Sequence, residues 1–154
     1  MDNVNNSIRV VASVIIPYSD KFIFVKTKKD EKWGIPGGRV EPFEDIRIAA
    51  PREVSEEVGL EVVLENLIAL QYHRSERQHP IFNTTYSSRI IEGIPRIMEP
   101  DKIEEMEFFS LKEIREIYRK GGLRAGIVGL RAVENYLTGI KYPLNIIEYF
   151  IENK

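Results

Sequence analysis

Four glutamates that could act together stand close to one another in this 154-residue sequence: Glu44, Glu53, Glu56 and Glu57. If residues 44–58 form a helix, a rotation of about 100° per residue places the last three within an arc of roughly 100°. Carboxylate oxygens are ligands that Mg²⁺ prefers, and Mg²⁺ commonly joins a few carboxylates to the phosphates of a substrate. The residue types and their spacing therefore indicate metal-assisted chemistry on a phosphate compound.

A solvated helix face is the alternative interpretation of the same glutamates. Like charges four residues apart on an exposed helix cost only about 0.2–0.5 kcal/mol, so they need no metal. In a partly enclosed site, two charges about 4 Å apart repel by roughly 4 kcal/mol at an effective dielectric near 20, and a bound cation would offset that repulsion. The choice between the two depends on the residues around the glutamates.

A helix over residues 44–58 has to hold these side chains, and the sequence predicts one there. Val54 and Val58, four residues apart, lie together on a face that suits packing against a sheet. Arg52 stands four residues before Glu56 and is expected to pair with it. The helix is thus predicted to be apolar on its inner side and acidic toward a cleft.

The two ends of this helix differ in how well the sequence defines them. Gly59 is suited to end the helix, because glycine adopts the positive φ of a C′ residue at no steric cost. Pro51 lies inside the helix and removes one backbone hydrogen bond. We therefore expect a kink or an irregular start near residues 47–51 and a regular helix from Arg52 onward.

The elements around the helix are predicted from apolar and β-branched runs bounded by turn residues. Strands over residues 8–16 and 21–27 are expected to form a hairpin. Further strands are predicted over residues 61–72, 81–91 and 102–109, and helices over residues 110–119 and 123–137. This order argues for an α+β or mixed α/β sandwich.

The composition fits one globular domain and excludes several classes of site. Hydrophobic residues make up 43% and charged residues 30% of the chain, and the net charge of -2 gives no electrostatic footprint for duplex nucleic acid. With no cysteine, thiolate chemistry and disulfides are excluded. No apolar run approaches the roughly 20 residues that span a bilayer, and the polar N-terminus has no apolar signal core. A cytoplasmic enzyme or binding module is expected.

The spacing from Gly38 to Leu60 resembles the Nudix box, G-x5-E-x7-R-E-U-x-E-E-x-G-U with U apolar, at every specified position. The segment Trp33–Gly38 is similar to the approach to that box, and the likeness extends over roughly residues 8–118. It implies an α/β/α sandwich with a mixed sheet. We expect a single domain over residues 1–154, with a C-terminal helical extension at about 121–154 that the likeness does not cover. Phe43 departs from the pattern, where glycine is usual, and is expected to alter the loop and cover part of the cleft.

The resemblance implies roles for the residues of the box. Mg²⁺ would be the cofactor, with Mn²⁺ as an alternative. Catalysis would involve four residues, with Arg52 as an orienting group: Arg52, Glu53, Glu56 and Glu57. Glu56, Glu57 and the Gly38 carbonyl would bind the metal, and Glu53 would be a ligand or a base. Glu44 would be either a further ligand or a group that supports the helix.

The resemblance also implies hydrolysis of a nucleoside diphosphate linked to another moiety. We expect a nucleoside triphosphate, cleaved to a monophosphate and pyrophosphate; ADP-ribose, a nucleotide sugar or a dinucleotide polyphosphate is the alternative. A non-catalytic nucleotide-sensing or protein-binding module is the third interpretation. Glu99, Glu104 and Glu105 are candidates for a further acidic residue outside the box, and Trp33, Glu104 and Glu105 are candidate substrate contacts. His73 and His79 are expected to be solvated loop histidines, with the role of a general base as the alternative.

The apolar C-terminal tail has to be buried somewhere. It contains Ile146, Ile147, Tyr149 and Phe150. Docking on its own domain is one interpretation, and a homodimer is the other. Gly126 and Gly129, on the predicted helix over 123–137, would permit the close backbone approach that a dimer uses.

Overall fold

The computed structural model describes residues 7–75 and 79–152, which form two β-sheets and three α-helices. The strands are β1 (Arg9–Ile15), β2 (Pro17–Tyr18), β3 (Lys21–Thr27), β4 (Trp33–Gly34), β5 (Gly37–Arg39), β6 (Glu61–Arg74), β7 (Pro80–Glu92) and β8 (Ile103–Phe109). The helices are α1 (Ile46–Val58), α2 (Leu111–Arg119) and α3 (Ile127–Leu137), followed by a short 3₁₀ turn at Leu144–Ile146.

The first sheet is mixed and has the strand order β5-β1-β7-β6. β1 pairs parallel with β7, with Ser13 opposite Thr85, and antiparallel with β5, with Ala12 opposite Gly38. β6 and β7 form a long antiparallel pair with irregularities in register. The sheet therefore brings β5, which begins the box, beside the centre of β1.

The second sheet is antiparallel and is built around β3, which pairs with β2, β4 and β8. The hairpin predicted for residues 8–16 and 21–27 is wrong in its pairing, because β1 belongs to the first sheet. The chain changes sheets after Ile15, since the Ile16 carbonyl already accepts the N–H of Ile23 at 3.2 Å, and the strand that forms a hairpin with β3 is the two-residue β2. The pairing of β1 depends on distant residues in β7, which its own sequence does not indicate.

Helices cover the sheets on two sides, which gives the predicted α/β/α sandwich. α1 packs on β1, β5 and β6, and its buried residues Ala49, Ala50, Val54 and Val58 belong to one hydrophobic core. On the other side, α2 and α3 contribute to a second core through Ile114, Leu130, Ala132 and Val133. The alternation along β1 feeds both cores, with Val14 in the first and Ile15 in the second.

The helix that carries the glutamates is well defined at both ends. Asp45 is its N-cap, and the Asp45 carboxylate accepts a hydrogen bond from the Arg47 backbone N–H. Gly59 ends it with φ 67°, as the sequence predicts. Of the kink or irregular start predicted near residues 47–51, the irregular start is wrong, because α1 continues without a break from Ile46 through Pro51 to Val58. The kink stays a prediction. The Asp45 cap stabilises the first turn of α1, and Pro51 removes one backbone hydrogen bond farther along the helix.

The helix predicted over residues 123–137 begins only at Ile127. Residues 123–126 form a turn in which Ala125 and Gly126 both have positive φ, which an α-helix does not accommodate. Gly126 therefore precedes the helix, and a Cβ there would meet no atom within 4 Å. At Gly129 the nearest atom to such a Cβ is Cδ1 of Ile35 at 3.9 Å. Neither glycine makes a close backbone approach among the described residues.

The C-terminal tail docks on its own domain in part. The backbones of Tyr142 and Leu67 exchange hydrogen bonds of 2.8 and 2.9 Å, and Leu144 and Ile147 pack against the first core. Ile146 and Phe150, which the sequence also predicted to be buried, are exposed. The homodimer that would cover them stays a prediction.

Candidate active site

Arg52 is the centre of an ion-pair network on the outer face of α1. Its Nε and Nη2 donate to the two carboxylate oxygens of Glu44 at 2.7 and 3.0 Å. Its Nη1 donates to Glu53 at 3.0 Å and to Glu56 at 3.1 Å. The predicted Arg52–Glu56 pair is present, and Arg52 has two further carboxylate partners. One guanidinium thus sets the positions of three carboxylates.

Glu44 lies at the edge of this network and supports the loop before α1. Its carboxylate also accepts the backbone N–H of Glu41 at 2.9 Å. The Arg52 guanidinium and this N–H hold the pKa of Glu44 below its usual range. Of the two roles that the resemblance implied, these contacts favour the supporting one.

Glu57 is the most deeply placed acidic side chain of the site, with 7% of its surface exposed. Its Oε2 accepts the backbone N–H of Gly37 at 2.9 Å, which connects the end of α1 to β5. Burial raises the pKa of Glu57 to about 7, although the Gly37 N–H and the charge of Arg124 act in the opposite direction. A carboxylate in this setting gains from a nearby cation.

Glu53 lies between Glu57 and the Arg52 network, directly against Gly38. A Cβ at Gly38 would lie 2.4 Å from the carboxyl carbon of Glu53, so only glycine leaves room for this carboxylate. Burial raises the pKa of Glu53, and the Arg52 guanidinium partly opposes that rise. The glycine of the box therefore has a steric reason to be there.

Glu99 joins the acidic group from outside the box. The segment before it is bonded to the end of α1, since the N–H of Met98 donates to the Glu57 carbonyl at 3.0 Å. The charge of Glu99 raises the pKa of both Glu53 and Glu57, while Lys102 pairs with Glu99 at 2.6 Å. The structure thus favours Glu99 over Glu104 and Glu105 as the outside acidic residue.

A divalent cation fits the chemistry of these donors. Glu53 and Glu57 are desolvated carboxylates beside the Gly37–Gly38 backbone, and both have raised pKa values that a cation would lower. Within residues 7–75 and 79–152, however, no three His, Asp or Glu side chains form a ready metal-binding group. Glu56 in particular is turned toward Arg52. Its predicted ligand role would require a change of partner.

A cleft of about 890 Å³ opens beside Glu57 and is lined by many basic side chains. The basic residues that line it are Arg9, Lys28, Lys29, Lys32, Arg74, Lys102 and Arg124, against Asp30, Glu57 and Asp101 as acidic ones. The local charge is therefore positive although the whole chain is slightly acidic. Such a cleft attracts a substrate with several negative charges.

A second pocket of about 240 Å³ lies beside Gly37 and Gly38. Its walls include Ile35, Ile81 and Val128, and its polar residues include Ser13, Asn83 and Thr85. The Ser13 hydroxyl lies 2.9 Å from that of Thr85, and the Asn83 amide donates to Thr85 at 3.1 Å. This pocket combines apolar walls with a small group of donors and acceptors, as small-molecule sites do.

The candidate substrate contacts lie in different surroundings. Glu104 and Glu105 both pair with Lys26, at 3.3 and 2.8 Å, and neither lines the two cavities. Trp33 packs edge-on against Phe109 in the second core. The substrate roles of all three stay predictions.

The two histidines also differ from each other. His73 lines both cavities, and burial lowers its pKa, so it is not simply a solvated loop residue. Its position follows from the length of β6, which extends past residue 72, where the sequence predicted its end. His79 lies next to residues 76–78, which are outside the described part of the chain.

Comparison with known proteins agrees with this fold. A model of the NUDIX domain matches residues 8–126, which is more than half of the chain. The chain therefore belongs to the NUDIX family, and the predicted family and sandwich fold are confirmed. Within the described residues, none of the helices is both long and apolar enough to cross a membrane.

Individual relatives are similar at modest identity. A protein of Bacillus subtilis named "Putative 8-oxo-dGTP diphosphatase" is 27% identical over 133 residues, which cover 74% of this chain and 89% of that protein. Phosphatase NudJ of Shigella boydii is 24% identical over 143 residues, covering 92% and 91%. The solved NUDIX hydrolase from Nitrosomonas europaea has a TM-score of 0.83 at 26% identity and covers 94% of this chain and 98% of its own.

Proposed function

We propose that this NUDIX protein is a Mg²⁺-dependent pyrophosphohydrolase that cleaves a nucleoside triphosphate to a nucleoside monophosphate and pyrophosphate. The observation that carries the proposal is the position of Glu57, a buried carboxylate with a raised pKa at the wall of a cation-rich cleft. Acidic residues beside a cleft for anions suit a reaction in which a metal joins the carboxylates to a polyphosphate.

Each part of the site contributes a separate function to this reaction. A bound Mg²⁺ would supply charge neutralisation of the diphosphate oxygens and a lowered pKa for the attacking water. Glu53 and Glu57 would hold it together with the Gly38 carbonyl, and Glu56 would join them on leaving Arg52. Arg52 orients the carboxylates. Glu53 is the candidate base where it does not serve as a ligand, because its carboxylate is desolvated and lies inside the site.

The nucleoside and its phosphates would occupy different cavities. The smaller pocket beside Gly38, with apolar walls and a polar group around Asn83, suits a nucleoside. The larger cleft suits the phosphates. The name of the Bacillus subtilis relative supports a triphosphate. The volume of the larger cleft, about 890 Å³, favours a second candidate, a substrate with a further anionic moiety, such as a nucleotide sugar or a dinucleotide polyphosphate.

A hydrolysis panel with Mg²⁺ tests the proposal. We expect release of pyrophosphate from one or more nucleoside triphosphates, and loss of turnover in Glu56→Gln and Glu57→Gln with the fold retained. Glu116→Gln is the matched control, because Glu116 is an exposed residue of α2 that pairs with Arg119. Cleavage of nucleotide sugars alone would refute the triphosphate assignment. Nucleotide binding without turnover in the wild type would instead identify a sensing or binding module.

A further inference from the structure

Arg124 lies where the two cavities meet, and it belongs to the turn between α2 and α3, outside the box. It lines both the large cleft and the small pocket. We propose that Arg124 is a phosphate-binding residue that holds a phosphoryl group of the substrate next to Glu57. This inference rests on the proposed function and assigns a specific residue to the recognition of the phosphates.

The backbone around Arg124 is fixed to the strand that leads to the box. The N–H of Arg124 donates to the Trp33 carbonyl at 2.7 Å, and the N–H of Trp33 donates to the Gly122 carbonyl at 2.9 Å. Ala125, directly after Arg124, has a φ of 58°, which is rare for a residue with a side chain. The turn is therefore strained, and the strained residue directly follows Arg124, which lines both cavities.

Gly34 makes the space that the Arg124 side chain occupies. A Cβ at Gly34 would lie 2.7 Å from both Nε and Nη2 of Arg124. Any other residue at position 34 would displace the guanidinium, although the backbone of Gly34 is not in the left-handed region. The fit between Gly34 and Arg124 fixes the guanidinium at the boundary of the two cavities.

The guanidinium of Arg124 retains donors for a ligand. Its hydrogen bond to the Val25 carbonyl is long, at 3.5 Å, and the ion pairs found among the described residues do not include it. Arg52 is different, since it donates to three carboxylates. The charge of Arg124 also reaches Glu57, whose pKa it lowers. A planar, permanently charged fork with open donors in a cation-rich cleft matches a phosphate group.

Two independent changes test this assignment. Arg124→Ala removes the guanidinium, and Gly34→Ala keeps it but displaces it. Arg124→Lys keeps the charge without the fork. Arg131→Ala is the control, because Arg131 is an exposed residue of α3 that pairs with Glu134. The readouts are the Kd of inorganic pyrophosphate in the presence of Mg²⁺, measured by calorimetry, the melting temperature, and KM and kcat on the best substrate of the panel.

We expect Arg124→Ala to weaken pyrophosphate binding about 10- to 100-fold, as for the loss of hydrogen bonds to a charged group. Gly34→Ala should weaken it in the same direction and Arg124→Lys to a lesser degree, with KM raised more than kcat is lowered. Unchanged Kd and KM in Arg124→Ala would overturn the proposal. So would an effect of Arg124→Ala that only follows a fall in melting temperature, with Gly34→Ala like the wild type. A wild type that does not bind pyrophosphate would also overturn it.

The proposed function and the role of Arg124 fail in different ways. Binding of pyrophosphate that depends on Arg124, in a protein that hydrolyses no nucleotide, would refute the proposed function and support the phosphate-binding role. If a nucleoside triphosphate is hydrolysed and neither Arg124→Ala nor Gly34→Ala changes that turnover, the proposed function is supported and the phosphate-binding role of Arg124 is refuted.

Discussion

Gly38 and Glu53 are in such close contact that a methyl group on Gly38 would lie 2.4 Å from the Glu53 carboxyl carbon. Gly38→Ala should therefore displace the Glu53 carboxylate from its position beside Glu57. Because the atoms to be displaced end a side chain, we expect the fold to persist while kcat falls by about tenfold or more, the range typical of a misplaced catalytic group. Steady-state kinetics together with a thermal melt would measure both effects.

Gly129 offers a matched control for that substitution. A Cβ there would meet only Cδ1 of Ile35, at an ordinary 3.9 Å, and Gly129 lies inside α3. Gly129→Ala should stabilise the protein by up to about 1 kcal/mol through helix propensity. Because Gly129 lines the smaller pocket, any effect on activity should fall on KM, and kcat should be unchanged, since no carboxylate is displaced. Equal losses of kcat in Gly38→Ala and Gly129→Ala would contradict the steric explanation.

Arg52→Met should destabilise the protein most strongly when no divalent cation is present. The substitution leaves the carboxylates of Glu44, Glu53 and Glu56 without their shared partner. We expect a loss of about 1–3 kcal/mol in the free energy of unfolding without metal. Mg²⁺ should reduce this loss, since a cation can replace part of the missing charge. Urea unfolding with and without Mg²⁺ would measure it, and an equal loss in both conditions would show that no cation binds near Arg52.

The raised pKa of Glu57 predicts that the metal-free protein becomes less stable as the pH rises. Its pKa is about 7 in the folded state, against a reference value of 4.5. Below pH 4.5 Glu57 is protonated in both the folded and the unfolded state, so it does not reduce the free energy of unfolding. Between 4.5 and 7 the unfolded chain loses its proton first, so the penalty grows, and above 7 it reaches about 3 kcal/mol.

The difference between the wild type and Glu57→Gln isolates this effect from other carboxylates. Glu44 and Asp45 have lowered pKa values and give the opposite trend with pH. We expect Glu57→Gln to gain stability over the wild type between pH 5 and pH 8 in metal-free buffer, and Mg²⁺ at pH 8 to diminish that gain. A difference that is constant with pH would refute the raised pKa.

Glu99→Gln should weaken metal binding without a large effect on folding. Glu99 adds negative charge beside both Glu53 and Glu57, and its own partner Lys102 lies on an exposed loop. We expect the Kd of Mn²⁺ or Mg²⁺ to rise by severalfold, on the order of the 1 kcal/mol that one nearby charge contributes at a partly exposed site. Calorimetry would measure it, with Glu116→Gln as the control; the same Kd in both variants would remove Glu99 from the site.

The sequence predicted local features of α1 better than it predicted the strand pairing. The end of α1 at Gly59 and the Arg52–Glu56 pair follow from local patterns, since glycine suits a C′ position and residues four apart on a helix are neighbours. The pairing of β1 with β7 joins residues about seventy positions apart, which no local pattern specifies. Arg124 was not predicted for a related reason, because the Trp33–Leu123 bridge that brings it beside the segment before the box joins residues about ninety positions apart. Gly34 in the Trp33–Gly38 segment is the sequence feature that could have indicated a side chain packed closely against that backbone.

The backbone bridge between Tyr142 and Leu67 covers part of an exposed strand edge. β6 is an edge strand of the first sheet, and an open edge offers unpaired backbone groups as a template for another chain. Tyr142 occupies those groups at the middle of β6, and the Tyr149 hydroxyl continues the attachment by donating to the Phe43 carbonyl. We therefore expect the tail to hinder strand-to-strand pairing between copies at this part of the edge, so that a fusion partner that displaced it would lower solubility before it lowered activity.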